Sequence, residues 1–197
     1  LTWIGTISED VDENGGAITK ITGTEYCGEA TLSFTITRLD PTPYPQENLG
    51  SLDYYEFRRQ DYIRRNPGTE SPDYYREFGH KYLNRFMEET YPNLTPQGQE
   101  FLGRVGRALQ QKIEDRLNVN PQDFAELEQD SSAFREFAYR THPDAYCSSG
   151  WGGLPESDRD QIIEAVDRRD LYFSLEGVIT GWQLAKRCGN RWDALPW

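Results

Sequence analysis

Histidine, methionine and cysteine are scarce in this chain: two, one and three respectively among 197 residues. Basic residues are outnumbered, 21 Lys plus Arg against 33 Asp plus Glu, for a formal net charge of -12. Each shortage excludes something. A mean negative field repels phosphate backbones, so nucleic acid is disfavoured as a partner. No stretch approaches the ~20 apolar residues of a membrane span, and no signal peptide is visible. With so few histidines and no HExxH spacing, no metal or other cofactor is expected. A site built from His80, His142 and Asp144 would need helices remote in sequence to meet. GxSxG and GxxxxGK are both missing, which removes the nucleophile elbow and the phosphate loop.

What is present suffices for a core. The chain is 36% hydrophobic and 13% aromatic, and its length favours one domain. Cys27, Cys147 and Cys188 match no zinc or redox spacing. They allow one disulfide with a leftover thiol, or three reduced thiols, so an oxidising and a cytoplasmic location both stay open. The chain begins at Leu1, which reads as a processed terminus or as a fragment of a longer protein.

The pattern along the chain predicts an α+β fold, with a small N-terminal antiparallel three-stranded β-meander packed on a mainly α-helical domain of five to seven helices. Residues 1–39 form the β-rich segment, in which Leu32, Phe34 and Ile36 alternate with hydroxyl residues, and Glu13-Asn14-Gly15-Gly16 marks a turn. Residues 40–50 are a proline-rich connector. Residues 51–197 are the helical domain. Its first helix spans Leu52 to Arg65, and Ser71-Pro72-Asp73 opens a longer one to about Tyr91. Thr95-Pro96 starts a third, with Gly103 and Gly106 allowing close approach of a neighbour. Asn120-Pro121 restarts a short helix and Asp130 caps the next. Pro143 is expected to break that helix at His142, with Cys147 to Gly153 as irregular loop. A helix from Pro155 and a last one over Ser174 to Arg187 follow.

Two sets of residues invite chemistry. In FREFAYRTHPDAYCSSGWGG, Phe134 to Gly153, the expected break would present His142 beside Asp144, with Trp151 as a stacking floor for sugar. On the helix from Asp73, Arg85 and Glu89 fall within the apolar arc at i,i+4 spacing. An unpaired charge there is costly, so the two are expected to pair with each other or across to another helix. His80 lies at the arc's edge. The candidate catalytic residues are therefore His142, Asp144, Glu89, Arg85 and His80. A cluster of Arg58, Arg59, Arg64 and Arg65 among tyrosines reads as a packed and solvated helix in preference to a base-stacking patch.

Four segments carry a resemblance: Phe78-Gly79-His80-Lys81-Tyr82 with Arg85-Phe86, Leu94-Thr95-Pro96-Gln97-Gly98-Gln99, Phe137 to Tyr146, and Gly153-Leu154-Pro155 with Asp158. Across residues 73–163 the chain resembles uncharacterised C-terminal domains of bacterial polymorphic-toxin and secreted-effector proteins. The resemblance implies a domain that is secreted or delivered by a larger carrier, and no catalytic residues come with it. One expectation is a hydrolase acting on cell-envelope carbohydrate. The other is a non-enzymatic protein-binding module, immunity-like or carrier-associated, because a strongly acidic chain suits neutralising a basic cognate toxin.

Overall fold

The computed structural model describes residues 2–11, 17–27, 30–167 and 188. Three strands, β1 (Thr2–Val11), β2 (Ala17–Cys27) and β3 (Ala30–Leu39), pair antiparallel in the order β1-β2-β3. The register aligns Ile7, Ile21 and Ile36 across the sheet. One residue along, Thr6 pairs with Thr22, and both are exposed, as are Ser8 and Ser33. Period-two alternation therefore gives the sheet one hydroxylated, solvated face.

The expected α+β domain with a sheet packed on helices is corrected by this structure, which is α-rich. The strands make their principal contacts with one another. Among the described residues, both hydrophobic clusters are built from residues beyond the sheet. The turn at residues 13–16, the helix expected over 174–187 and the closing tryptophans lie outside the described residues.

Among the described residues, six helices form the body. α1 is Tyr54–Arg65. α2 covers residues 74–90, with π-helical Tyr74–His80 and Phe86–Thr90 on either side of α-helical Lys81–Arg85. α3 is Pro96–Val119, α4 Pro121–Leu127, α5 Ser131–Ser148 and α6 Glu156–Glu164. The caps follow sequence chemistry: the Thr95 side chain accepts from Gly98 N, Asn120 from Gln122 N and Asp123 N, and Asp130 from Ser132 N and Ala133 N. Asp73 departs from it, since its carboxylate accepts from Ser131 Oγ and Arg135 across on α5 and leaves the start of α2 uncapped. No helix among the described residues is long and apolar enough to cross a membrane.

Two clusters of buried side chains run along these helices. The first holds Tyr44, Tyr54, Tyr55, Tyr74 and Tyr75 with Ile113, Leu117, Phe124 and Phe134. The second holds Leu94, Phe101, Leu102, Val105, Ala145, Trp151, Leu154 and Ile162. Helices α3 and α5 contribute to both, α3 from Phe101 to Leu117 and α5 from Phe134 to Ala145. The close approaches are at Gly79, where a Cβ would stand 2.5 Å from the Tyr55 ring, and Gly98, where it would meet the Asp158 carboxylate. Among the described residues Gly103 meets nothing within 4 Å and Gly106 makes only ordinary contact with Leu83, so no close approach is seen at that pair.

A second correction concerns α5, which continues through Pro143 to Ser148. Proline removes the hydrogen bond to the carbonyl four residues back and ordinarily costs ~3 kcal/mol inside a helix. Here the His142 imidazole turns back onto its own helix. Its Nδ1 lies 2.9 Å from the Ala138 carbonyl, next in the chain to the Tyr139 carbonyl that Pro143 leaves without its amide. Cys147 to Gly153, expected as loop, is the end of α5, a turn at residues 149–150 and a 3-10 turn over Trp151–Gly153.

Candidate functional site

The five residues singled out in the sequence divide among separate surroundings. A carbonyl can only accept, so His142 carries its proton on Nδ1 and leaves Nε2 with a lone pair. Its ring is stacked against Tyr139 and Tyr146, with centroids at 5.1 and 6.0 Å. Burial pushes this imidazole down to about 4, against the backbone hydrogen bonding that favours the charged form. Asp144 is exposed and ion-paired to Lys112 of α3 at 2.5 Å. Residues two apart on a helix point to different sides, so once α5 continues through Pro143 the expected juxtaposition of His142 and Asp144 lapses.

The Arg85/Glu89 ion pair is likewise replaced. Arg85 Nη1 donates to Asp167 Oδ1 at 2.7 Å and to the Ala165 carbonyl at 3.0 Å. Glu89 is exposed and acts on Arg85 only through its charge. The guanidinium is turned away from Glu89 because the Asp167 carboxylate and the Ala165 carbonyl satisfy it from the end of α6. Lys81 closes on the other oxygen of Asp167 at 2.5 Å. The hydrogen bonds from Lys81 and Arg85 hold the Asp167 carboxyl down at about 2. His80 is half-buried, with Nε2 3.0 Å from Asn84 Nδ2. Glu56 of α1 is held down at about 2, chiefly by the hydrogen bond from Arg59.

Other groups considered for carbohydrate cleavage are committed elsewhere. Trp151 is buried against Phe101 and Tyr146 at 5.6 Å from each and offers no stacking floor. Asp158 is buried and accepts from Thr95 N at 3.2 Å and from Thr95 Oγ1, fastening α6 to the start of α3. No group of three or more His, Cys, Asp or Glu side chains among the described residues is arranged to hold a metal ion.

Comparison with protein-family models, curated proteins and solved structures found no match.

The densest arrangement of charge is one the sequence reading missed. Arg58 of α1 and Glu114 of α3 are fully buried, with Nε to Oε1 at 3.5 Å. Glu114 also accepts from Tyr54 Oη at 2.8 Å and Tyr44 N at 2.9 Å. Arg58 donates to the Thr42 carbonyl, while Nε and Nη1 make no hydrogen bond among the described residues. Asp61 receives Arg64 at 2.8 Å and Arg65 at 3.0 Å, and Arg65 reaches Glu128 at 2.5 Å. Tyr75 Oη donates to Glu128 at 2.6 Å.

Burial is the largest influence on both of these carboxyls and works to raise them. It prevails at Glu128, which is raised, whereas at Asp61 the charges of Arg65 and Arg58 prevail and the carboxyl is lowered. Three arginines thus meet three carboxylates beneath the connector, whose Thr42 and Tyr44 backbones they hold. One signal was available: Gln110 and Glu114 sit at i,i+4 beside the core positions Ile113 and Leu117. Since Arg58, Tyr54, Tyr55 and Tyr62 are all buried, the cluster weighed for base stacking is interior structure.

One surface remains notable. Along α6, Glu156, Asp160 and Glu164 recur at i,i+4 spacing and all are exposed. Arg159, the cation of this helix, donates instead to the Leu154 carbonyl at 2.8 Å. α6 contacts the Phe86–Thr90 turn of α2, where Glu88 and Glu89 are also exposed.

Proposed function

We propose that this chain is a non-enzymatic protein-binding module of the bacterial effector systems it resembles, and that it engages a basic partner through the acidic face of α6. The observation that supports this reading is the stripe Glu156, Asp160 and Glu164, next to Glu88 and Glu89. Like charges at i,i+4 destabilise a helix by ~0.2–0.5 kcal/mol per pair. A face that bears this cost and leaves its one arginine turned away suits electrostatic steering of a positively charged protein. The dispersal of His142, Asp144, Arg85, Glu89 and His80 among separate contacts favours binding over hydrolysis of envelope carbohydrate. The Cys147–Cys188 disulfide fits an exported chain, because such bridges persist in oxidising compartments.

The test pairs the chain with the basic proteins encoded beside it in its genome, at low and high salt. Glu156→Lys with Asp160→Lys should weaken binding at least ten-fold and flatten its salt dependence, with folding unchanged. Binding that ignores both the substitutions and the salt would sink the reading, as would release of reducing sugar from cell-wall carbohydrate by the chain alone.

A further inference from the structure

Asp167 and Cys188 are both fastened to the helical body, by bonds that are undone in different ways. Asp167 is held by ion pairs to Lys81 and Arg85 and by its amide donating to Tyr82 Oη at 3.3 Å. Cys188 is held by a disulfide to Cys147, with Cα atoms 5.5 Å apart, and packs against the second hydrophobic cluster. Salt weakens the first fastening and leaves the second intact, while a thiol does the reverse.

The bridge is placed where α5 is least self-supporting. Pro143 has already removed one backbone hydrogen bond from the helix, and Cys147 belongs to its final turn. Besides backbone hydrogen bonds such as Ser149 N to the Ala145 carbonyl at 3.0 Å, that turn is held by tertiary contacts: Ala145 is buried in the second cluster, Tyr146 lies against Phe101 at 5.7 Å, and Cys147 is tied to Cys188. Both cysteines are only half-buried, so a small thiol reaches them.

We infer that the Cys147–Cys188 bridge is a redox clasp: closed, it completes the second cluster, and opened, it releases Cys188 and loosens the last turn of α5. The opening reaction is thiol–disulfide exchange with a low-molecular-weight thiol of the glutathione class. A thiolate attacks one sulfur, forming a mixed disulfide and expelling the other cysteine as a thiolate. A second thiolate attacks the mixed disulfide. The products are one oxidised glutathione and two protein thiols, with two electrons and two protons transferred in all. The biological setting rests on the export proposed above, in which a chain made in oxidising surroundings meets a reducing cytosol on delivery.

The test is hydrogen exchange on the full chain, oxidised and after excess reduced glutathione, with alkylation and mass measurement confirming the thiol state. Peptides covering residues 144–154 should exchange at least ten-fold faster when reduced, and those covering α1 within two-fold of the oxidised rate. Cys147→Ser and Cys188→Ser should show the fast pattern without reductant, and Cys27→Ser the slow one. Unchanged exchange over 144–154 in the fully reduced chain overturns the clasp, and so does a fast pattern in Cys27→Ser. Partner binding is not part of this readout, so loss of the α6 reading leaves the clasp standing, and the converse holds.

Discussion

The two hydrophobic clusters lie along the same helices and are built on different chemistry. The first buries five tyrosines, whereas the second buries none. Every buried phenol needs an acceptor, and the first cluster supplies Glu114 to Tyr54 and Glu128 to Tyr75. Those carboxylates need cations, which are Arg58 and Arg65. Tyrosine thus brought acid into the core and acid brought arginine. The second cluster needs little such pairing and is fastened from outside, by Asp158 and by the disulfide. Filling a core with phenols fixes partners by directional bonds, whereas filling it with Leu, Val, Ile and Trp leaves the fixing to ties at its edge.

The comparison breaks most readily at Glu114. Glu114→Gln leaves Arg58 buried without its counter-charge and should cost about 3–5 kcal/mol in urea unfolding. Adding Arg58→Met should bring stability back to within about 1–2 kcal/mol of the parent, because the penalty belongs to the unpaired charge. A double variant no better than the single one would mean that the phenols, and not the ion pair, carry the first cluster.

His142 sharpens the comparison at the joint, since its ring lies between Tyr139, packed on the first cluster, and Tyr146, packed on the second. With its folded value near 4 against an ordinary 6.5, the unfolded chain binds more protons between those limits. Stability therefore rises with pH across that window and is lost as pH falls through it, by at most about 3 kcal/mol. Unfolding measured at pH 7, 5.5 and 4.5 should show His142→Gln losing less on acidification than the parent does. Parallel losses would remove the imidazole from the account.

The smallest effect is expected within the second cluster. Asp158→Asn keeps one acceptor for Thr95 and should cost about 1–2 kcal/mol. A loss matching that of Glu114→Gln would erase the contrast between the two clusters.

Much of this architecture is legible where physics is local. The strands follow from alternation, and Thr95-Pro96, Asn120-Pro121 and Asp130 announce three helix starts that the caps realise. Legibility fails where a remote or unusual partner changes the local rule. Pro143 forfeits one intrahelical bond, and the burial of Ala138 before it and Ala145 after it carries α5 through. The charge of Arg85 was read correctly as needing a carboxylate, but α-helical periodicity offered Glu89, whereas Asp167 arrives from beyond the end of α6. Arg58 and Glu114 are distant in sequence, so only the chain's path over the connector brings them together. That the clusters among the described residues draw nothing from the sheet is illegible, because an amphipathic meander reads the same whether its apolar face meets these helices or not.

The passage of α5 through Pro143 has a consequence for descent. Ala138 before the proline and Ala145 after it are buried in different clusters, so the helix is pinned on both sides of the bond it lacks. Related chains that keep the proline should keep small buried residues at both positions, and a bulky residue at either would expose the latent helix break.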